Sequence, residues 1–163
     1  MTQSELRNND VLEEVLKRNS DSVYRTAYLR VGNKHDAEDI MQDVFVRYIR
    51  KQPVFASAEH EKAWFIRCTV NLTKSFFTSA RMRRNVPLDE DIPTEDSHEE
   101  TGLIDTVMKL PGNMRTAIHL YYYENMSVKE VSEAMGKSES AVKSLLMRGR
   151  ETLKRMLGED YMD

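Results

Sequence analysis

The stretch SVKEVSEAMGKSESAVKSLLMRGR, residues 127–150, predicts two short helices joined by a tight turn. Ser127 and Glu130 have the spacing of a capping box, in which each side chain bonds the main-chain N–H group of the other residue. Gly136 is the residue type that most readily ends a helix with a positive φ, and Ser138 is a favoured N-cap for the second helix. The segment therefore has the pattern of a helix-turn-helix.

The second helix of this segment divides into an apolar side and a polar side. At 100° per residue the apolar side holds Val142, Leu145, Leu146, Gly149, Leu153 and Met156. The opposite side holds Ser140, Lys143, Ser144 and Met147, and Arg148, Arg150, Lys154 and Arg155 flank the boundary. A helix-turn-helix sets its second helix in the major groove, with N-terminal residues at base edges. The spacing favours DNA binding, and a plain helical hairpin is the alternative.

The composition is that of an ordinary helical protein. The chain has 163 residues, of which 40% are hydrophobic and 31% charged, enough for one domain or two small ones. No run of apolar residues is long enough for a membrane span, and the polar N-terminus has no signal-peptide core. We therefore expect a cytoplasmic protein. Its lone cysteine, Cys68, falls in an apolar pattern and is interpreted as a core residue, and no sensor domain is expected after Asp163.

The net charge of −3 hides a sharp division along the chain. Residues 1–84 hold fifteen Lys and Arg against eleven Asp and Glu, a net of +4. Residues 85–101 hold seven acids and no Lys or Arg, and residues 102–163 hold nine of each sign. The middle stretch has too few apolar residues to offset the cost of ordering. The sequence therefore predicts an all-α protein with two small helical domains, 1–84 and 102–163, joined by a flexible acidic linker, 85–101.

A helix in the first half, DAEDIMQDVFVRYIR, places its acidic residues away from its core. Its apolar stripe is Ala37, Ile40, Met41, Val44, Phe45 and Tyr48, and Asp36, Asp39 and Asp43 lie on another face with Gln42 at its edge. Clustered carboxylates raise the possibility of a metal enzyme. However, the spacing of a Ca²⁺ loop is absent and the four histidines are scattered. A solvated acidic face and a docking surface for a protein partner remain the two main interpretations.

The next helix, predicted from about Glu61 to Ser79, carries a basic stripe. Its buried side is Phe65, Cys68, Leu72 and Phe76. The stripe consists of Arg67, Asn71, Lys74, Thr78 and Arg81, which fall within roughly 80° of arc, and it continues into Arg83 and Arg84. One interpretation is a solvated face. The other is a track for nucleic-acid phosphates, where Asn71 bonds a base edge and Phe55 and Trp64 stack an unpaired base.

Taken together, these segments resemble the extracytoplasmic-function sigma factors of bacterial RNA polymerase. DAEDIMQDVFVRYIR resembles the family's D-A-E-D-hydrophobic-x-Q-[ED]-x-F signature, and KAWFIRCTVNLTKSFFTSARMRR resembles its A-W…N segment with trailing arginines. LPGNMRTAIHLYYYENMSVKEVSEAMGKSESAVKSLLMRGRETL is similar to the family's second DNA-binding segment. Lys137, Ala141 and Ser132 depart from that pattern, which has an aliphatic residue, Thr and Ala at these positions.

The resemblance implies three surfaces and their partners. The helix from Asp36 to Arg50 would dock on the clamp of the largest subunit of core RNA polymerase, and the second half would contact the flap of the second-largest. The docking residues are Asp36, Asp39, Gln42, Asp43 and Arg47. The minus-ten promoter element would meet Phe55, Lys62, Trp64, Arg67, Asn71, Lys74, Arg81, Arg83 and Arg84. The minus-thirty-five element would meet Ser138, Ser140, Lys143, Ser144, Met147, Arg148 and Arg150.

The predicted function is therefore that of a sigma factor, which directs polymerase to a restricted promoter set and promotes DNA melting. We expect no catalytic residue, no metal and no cofactor, and no direct membrane insertion. The resemblance also implies an anti-sigma factor as partner. Two rivals are a one-component regulator that uses only the helix-turn-helix, and a sigma-like decoy that holds an inhibitor without binding DNA. A metal enzyme is a distant third.

Overall fold

The computed structural model describes residues 2–84 and 103–158, with side chains over 2–79 and 105–158. Its helices are α1 (Gln3–Val31), α2 (Lys34–Lys51), α3 (Ala58–Arg84), α4 (Leu103–Met108), α5 (Gly112–Ile118), α6 (Val128–Met135) and α7 (Glu139–Leu157). The described residues contain no β-strand, so the all-α prediction is confirmed. The predicted linker, 85–101, lies outside the described residues.

Local capping sets the ends of α1 and α2. Thr2 and Glu5 form a capping box at the start of α1, which is 29 residues long. Gly32 ends α1 with a φ of 83°, a conformation that glycine adopts without steric cost. Asn33 then caps α2, since its side-chain oxygen accepts the N–H group of Asp36 at 2.9 Å.

The first three helices pack around one core. The predicted apolar stripe of α2 lies in this core, although Met41 and Phe45 are only partly buried. The stripe packs there with Val15, Val23, Ala27 and Val31 of α1. Phe65 and Cys68 of α3 complete this core, with Leu72 and Phe76 at its edge. The interpretation of Cys68 as a core residue is confirmed, because its side chain is buried and its thiol is unbonded.

The third helix buries a second face that the predicted stripe does not include. Ile66 and Val70 are 0% and 1% exposed, and their neighbours in the core are residues of α5, α6 and α7. These two residues lie about 100° to 160° around the helix from Phe65 and Leu72. As a result α3 contributes to two cores, one on each side.

The helix-turn-helix forms as its local signals predict. The Ser127–Glu130 capping box is present, Gly136 adopts a φ of 67°, and the hydroxyl of Ser138 accepts the N–H group of Ala141. Between α5 and α6 the chain makes a π-helical turn, His119–Tyr123.

Close packing of α7 on α5 depends on Gly149. A Cβ atom added at this position would lie 2.8 Å from Cγ1 of Ile118, so the two helices approach where no side chain intervenes. Met156, which its spacing places on the apolar side of α7, is 46% exposed.

The two halves of the chain pack against each other. The first half contributes α1, which contacts α5, and α3, which contacts α6. Arg30 of α1 bridges the halves, since it donates hydrogen bonds to the hydroxyls of Thr73 and Thr116 at 3.0 Å each. None of the helices described here is long and apolar enough to cross a membrane.

Candidate nucleic-acid and protein interfaces

The N-terminal part of α7 presents a polar face to solvent. Val142, Leu145 and Leu146 are buried beneath it, with Val142 0% exposed. The residues predicted to read DNA all lie on the exposed side: Ser138, Ser140, Lys143, Ser144, Met147, Arg148 and Arg150. Met147 is 51% exposed, so its apolar side chain is open to a ligand of this face. The structure therefore brings these residues together on one accessible helix face, with three cationic or hydroxyl side chains, Ser140, Lys143 and Ser144, in its first two turns.

Arginines further along α7 extend this face. Arg150 donates a 2.8 Å hydrogen bond to the hydroxyl of Tyr122, which is itself exposed. Arg148 makes a long contact of 3.4 Å with the carbonyl oxygen of Ser144. Both guanidinium groups remain at the surface, where a DNA phosphate has access to them.

The acidic face of α2 is exposed with one exception. Asp39, Gln42, Asp43 and Arg47 are exposed, while Asp36 is half-buried and accepts a 2.7 Å hydrogen bond from the amide of Asn33. Val46 lies on the same face and is 44% exposed. An apolar side chain surrounded by carboxylates and an amide is suited to a protein partner, since the apolar contact and the polar rim both recur at interfaces.

His35, Asp36 and Asp39 place their ligand atoms within 4.8 Å of one another. This cluster lies at the surface, and one carboxylate oxygen of Asp36 is already bonded to Asn33. His35 lies 3.5 Å from Asp39 as an ordinary i, i+4 neighbour. The arrangement is that of a capped helix N-terminus and does not support the metal-enzyme interpretation.

The basic stripe of α3 is split between solvent and the second half of the chain. Arg67 and Asn71 are exposed. Lys74 is exposed as well, but its ammonium group donates to the carbonyl oxygen of Met135 in the second half at 2.6 Å. Lys62, which lies outside the stripe, donates to the carbonyl oxygen of Glu124 at 3.0 Å. The side chains of the other predicted members, Arg81, Arg83 and Arg84, lie outside the described residues.

The two aromatic residues predicted to stack on a base belong to an aromatic cluster. The ring of Phe55 stacks on Tyr48 with centroids 6.4 Å apart, and Trp64 meets Phe65 edge-on at 5.1 Å. Both rings are half-buried, so each has one part fixed by packing and another part open to solvent.

A clamp on Glu61 holds the start of α3 against α1. Its carboxylate receives two hydrogen bonds from Arg18, at 2.7 and 2.8 Å, and one from Asn19 at 2.7 Å. The Arg18 hydrogen bonds lower the pKa of Glu61, against the opposing effect of burial, and the Asn19 bond adds to the lowering. The clamp therefore fixes the helix end next to the loop that carries Phe55.

Glu124 is a buried ionic centre that no sequence pattern predicted. Its side chain is 0% exposed and contacts both halves of the chain. Ser22 donates to it at 3.0 Å and Arg25 at 3.1 Å, and Lys62 and His119 lie within 3.2 Å. The sequence offered one weak signal, a single acid directly after an aromatic run.

Burial would raise the pKa of the Glu124 carboxyl, and this is the largest single influence on it. The hydrogen bond and charge of His119, the charge of Arg25 and the hydrogen bond from Lys62 outweigh burial together and lower the pKa to about 2. Glu124 is thus held as a carboxylate, and Arg25 and Lys62 of the first half are among the groups that keep its pKa low.

Comparison with known proteins gives two family matches. The family described as Sigma-70 region 2 matches residues 15–83, and that described as Sigma-70, region 4 matches residues 102–153. A one-component regulator that uses only a helix-turn-helix would have no counterpart of the first match.

Curated relatives match most of the chain. The ECF RNA polymerase sigma factor BldN of Streptomyces coelicolor is 34% identical, over 86% of this chain and 58% of the relative. SigE of Mycolicibacterium smegmatis is 32% identical, over 90% of this chain and 62% of the relative. SigW of Bacillus subtilis is 28% identical, over 91% and 89%. The chain therefore spans about three-fifths of the length of the first two relatives.

A solved structure shares the fold. The sigma factor RpoE, in complex with the anti-sigma factor NepR from Bartonella quintana, has a TM-score of 0.69 at 21% identity and covers 93% of this chain. The match extends over 96% of that chain. Since two sigma-70 regions match in order on either side of residues 84–101, the chain belongs to the sigma-70 family, in its extracytoplasmic-function group.

Proposed function

We propose that this chain is a sigma subunit of bacterial RNA polymerase that starts transcription of a restricted gene set. The observation that carries the proposal is the pairing of two matched sigma regions, each with its own exposed polar face, on α2 and α3 and on α7. We propose that the chain starts transcription in the cytoplasm, where RNA polymerase and promoters are. The proposal assigns no catalytic step, metal or cofactor to the chain.

Core RNA polymerase is the proposed partner of the acidic face of α2. Asp39, Gln42 and Asp43 would contact the clamp of the largest subunit, and Val46 would supply apolar area at the centre of that contact. Arg47 and Asp36 lie at its edges. The second half would meet the flap of the second-largest subunit, so that polymerase holds both halves at a spacing that suits the promoter.

The minus-ten element is the proposed ligand of the basic stripe of α3. Asn71 is exposed and can bond the edge of an unpaired base, while Arg67 beside it can bind phosphate. Trp64 and Phe55 would stack on a base that has left the duplex. A surface that binds unpaired bases favours the melted state over the duplex, and this is how the chain would promote opening.

The minus-thirty-five element is the proposed ligand of α7. Ser140, Lys143 and Ser144 lie in its first two turns, the part of a recognition helix that reaches base edges. Met147 would make apolar contact with a thymine methyl group. Ser138, Arg148 and Arg150 would bind phosphates and set the register of the helix in the groove.

An anti-sigma factor is the proposed regulator. The solved RpoE structure with the same fold is a complex with such a factor. The exposed acidic face of α2 and the polar face of α7 are surfaces that an inhibitor could cover, and this would block polymerase and DNA together. Such a partner would act through contact with surfaces already described and needs no further site.

In vitro transcription tests the proposed function. Purified chain and core polymerase are combined with a library of promoter fragments, and the transcripts are sequenced. We expect transcripts from a small set of fragments that share two elements, and none when either the chain or core polymerase is omitted. A chain that binds core polymerase but yields no specific start would contradict the proposal and favour the decoy.

A further inference from the structure

The start of α3 is capped by a reciprocal pair of residues, Ser57 and His60. The hydroxyl of Ser57 accepts the main-chain N–H group of His60 at 3.1 Å, as an N-cap serine does for the third residue of a helix. The imidazole of His60 in turn accepts the N–H group of Ala56 on Nδ1 at 3.0 Å. In an ordinary capping box the third residue is Glu or Gln and accepts from the N-cap residue itself. The His60 acceptor therefore reaches one position further, into the loop of residues 52–57.

The bonded N–H group lies next to Phe55, the loop residue proposed to stack on an unpaired base. The rings of His60 and Phe55 meet edge-on, with centroids 5.5 Å apart and planes at 86°. The Phe55 ring also packs against Tyr48 and Trp64, with centroids at 6.4 and 5.9 Å. His60 thus restrains Phe55 in two ways, through the main chain at Ala56 and through the contact between the two rings.

The side chain of His60 is not part of the core that holds α3 in place. It is exposed, whereas the next residue, Glu61, is buried and bonded to Arg18 and Asn19 of α1. Glu61 therefore fixes α3 on α1, while the hydrogen bond and the ring contact of His60 are made with the loop. A change at His60 should alter the loop and leave the packing of the helix unchanged.

The acceptor on His60 has a defined chemistry. A neutral imidazole carries its proton on one ring nitrogen and accepts on the other, so the bond from Ala56 requires the proton on Nε2. An asparagine side chain has a reach comparable to Nδ1 and offers an oxygen acceptor there. Glutamine is one carbon longer, and in a capping box it bonds the N–H group of the cap itself. Asparagine should therefore keep the bond to Ala56, whereas glutamine should keep the helix start and lose that bond.

We propose that His60 is a positioning residue for the minus-ten site, which holds the loop in the conformation where Phe55 receives an unpaired base. The inference rests on the proposed function for the role of Phe55. The contacts of His60 with the loop rest on the geometry alone. A loop that is already ordered loses less conformational freedom when the base binds, so melted DNA binds more tightly. His60 acts through Phe55 and does not have to touch the base.

The hydrogen bond is tested first in the chain alone, by NMR of isotope-labelled protein. Exchange of the Ala56 amide proton with water is measured in the parent and in His60→Asn, His60→Gln and His60→Ala. We expect exchange about fivefold faster in the Gln and Ala variants, the factor that corresponds to one neutral hydrogen bond. The Asn variant should keep the parental rate. Equal rates in all four proteins would show that the bond does not form, and the inference would be refuted.

The effect on DNA is measured with holoenzyme, that is, core polymerase with the full chain. The probes are a promoter fragment from the transcription library whose minus-ten element is unpaired by mismatches, and the same fragment cut upstream of that element. On the mismatched fragment His60→Gln and His60→Ala should bind about fivefold more weakly, and His60→Asn about as well as the parent. On the shortened fragment all four proteins should bind alike. Glu59→Ala, an exposed neighbour on the same turn of α3, is the control and should weaken neither.

Phe55→Ala separates the inference from the proposed function. If Phe55→Ala weakens binding of the mismatched fragment and His60→Gln does not, Phe55 acts without His60 and the positioning role is refuted. It is also refuted if the losses are equal on both fragments, or if His60→Asn keeps slow exchange at Ala56 but binds as weakly as His60→Ala. If Phe55→Ala itself has no effect, the proposed minus-ten surface is wrong and the positioning role fails with it.

Discussion

Lys74 Nζ on α3 donates a 2.6 Å hydrogen bond to the main-chain carbonyl oxygen of Met135, the last residue of α6. The final carbonyls of a helix have no partner within the helix, and a cation there also meets the negative end of the helix dipole. The turn at Gly136 follows directly, so a lysine of the first half anchors the turn of the helix-turn-helix in the second.

Replacement of this lysine should weaken the folded chain. We expect Lys74→Met to lower the free energy of unfolding by about 1 kcal/mol, below the usual range for a charged hydrogen bond because Lys74 is partly in solvent. Urea denaturation followed by circular dichroism measures it. Lys129→Met, an exposed lysine on α6, is the control and should have almost no effect. Equal losses in the two variants would contradict a specific role for the Met135 contact.

The stability of the folded chain should depend on pH through the Glu124 carboxyl. Its pKa is lowered from 4.5 to about 2 in the folded chain, so the ionised form contributes stability that is fully present above pH 4.5. That contribution, about 3 kcal/mol, is lost as pH falls from 4.5 toward 2. The groups that face the carboxylate are Arg25, Lys62 and His119.

Urea denaturation of the parent and of Glu124→Gln at a series of pH values isolates the contribution of the Glu124 charge to the free energy of unfolding. Other carboxylates, such as Glu61, titrate alike in both proteins. The stability difference between the two proteins should be constant above pH 4.5 and shrink below it. A difference that does not change with pH would show that the charge of Glu124 contributes nothing.

Gly149→Ala should destabilise the second half although alanine is the better helix former. The propensity gain is about 1 kcal/mol, but the new Cβ would lie 2.8 and 3.0 Å from the buried side chain of Ile118. Overpacking of this kind costs about 1–3 kcal/mol, so the free energy of unfolding should fall on balance. In an Ile118→Ala background the same change should become neutral or stabilising. Thermal unfolding of the four proteins of this double-mutant cycle measures the coupling.

Charge reversal on α2 should weaken polymerase binding without unfolding the chain. Asp39→Arg with Asp43→Arg changes two exposed side chains that lie away from Ile40 and Val44. Pull-down with core polymerase should show a large loss of binding at an unchanged melting temperature. Glu38→Arg, about 100° around the helix from Asp39, is the matched control and should bind normally. Full binding by the double variant would exclude this face as the docking surface.

Lys143 and Arg155 should differ in how they affect promoter choice. Lys143→Ala should reduce use of the preferred upstream element by about 1–3 kcal/mol, and the penalty should shrink on elements mismatched at the contacted base. Arg155→Ala, further along α7, should weaken binding about equally on all sequences if it touches only phosphate. Transcription from a set of upstream-element variants distinguishes the two. If Lys143→Ala is equally costly on every sequence, base reading belongs to Ser140, Ser144 or Met147 instead.

Local sequence was sufficient for the helix-turn-helix. The Ser127–Glu130 capping box, the turn at Gly136 and the cap at Ser138 act over three or four residues, and their physics does not depend on what packs nearby. The buried stripe of α2 could also be predicted from local spacing, because a helix with a single apolar face needs only one core to cover it.

Only the tertiary structure decided what α3 does on its second side. Ile66 and Val70 are apolar at helical spacing, but periodicity cannot say whether a second face meets another domain or is merely less polar. Glu124 depends even more on packing, since its partner Ser22 lies 102 residues away along the chain. A carboxylate gains ion-pair partners such as Arg25 and Lys62 only when distant helices meet. The sequence by itself therefore determined which surfaces exist, and the packing of the two halves decided which of them are covered.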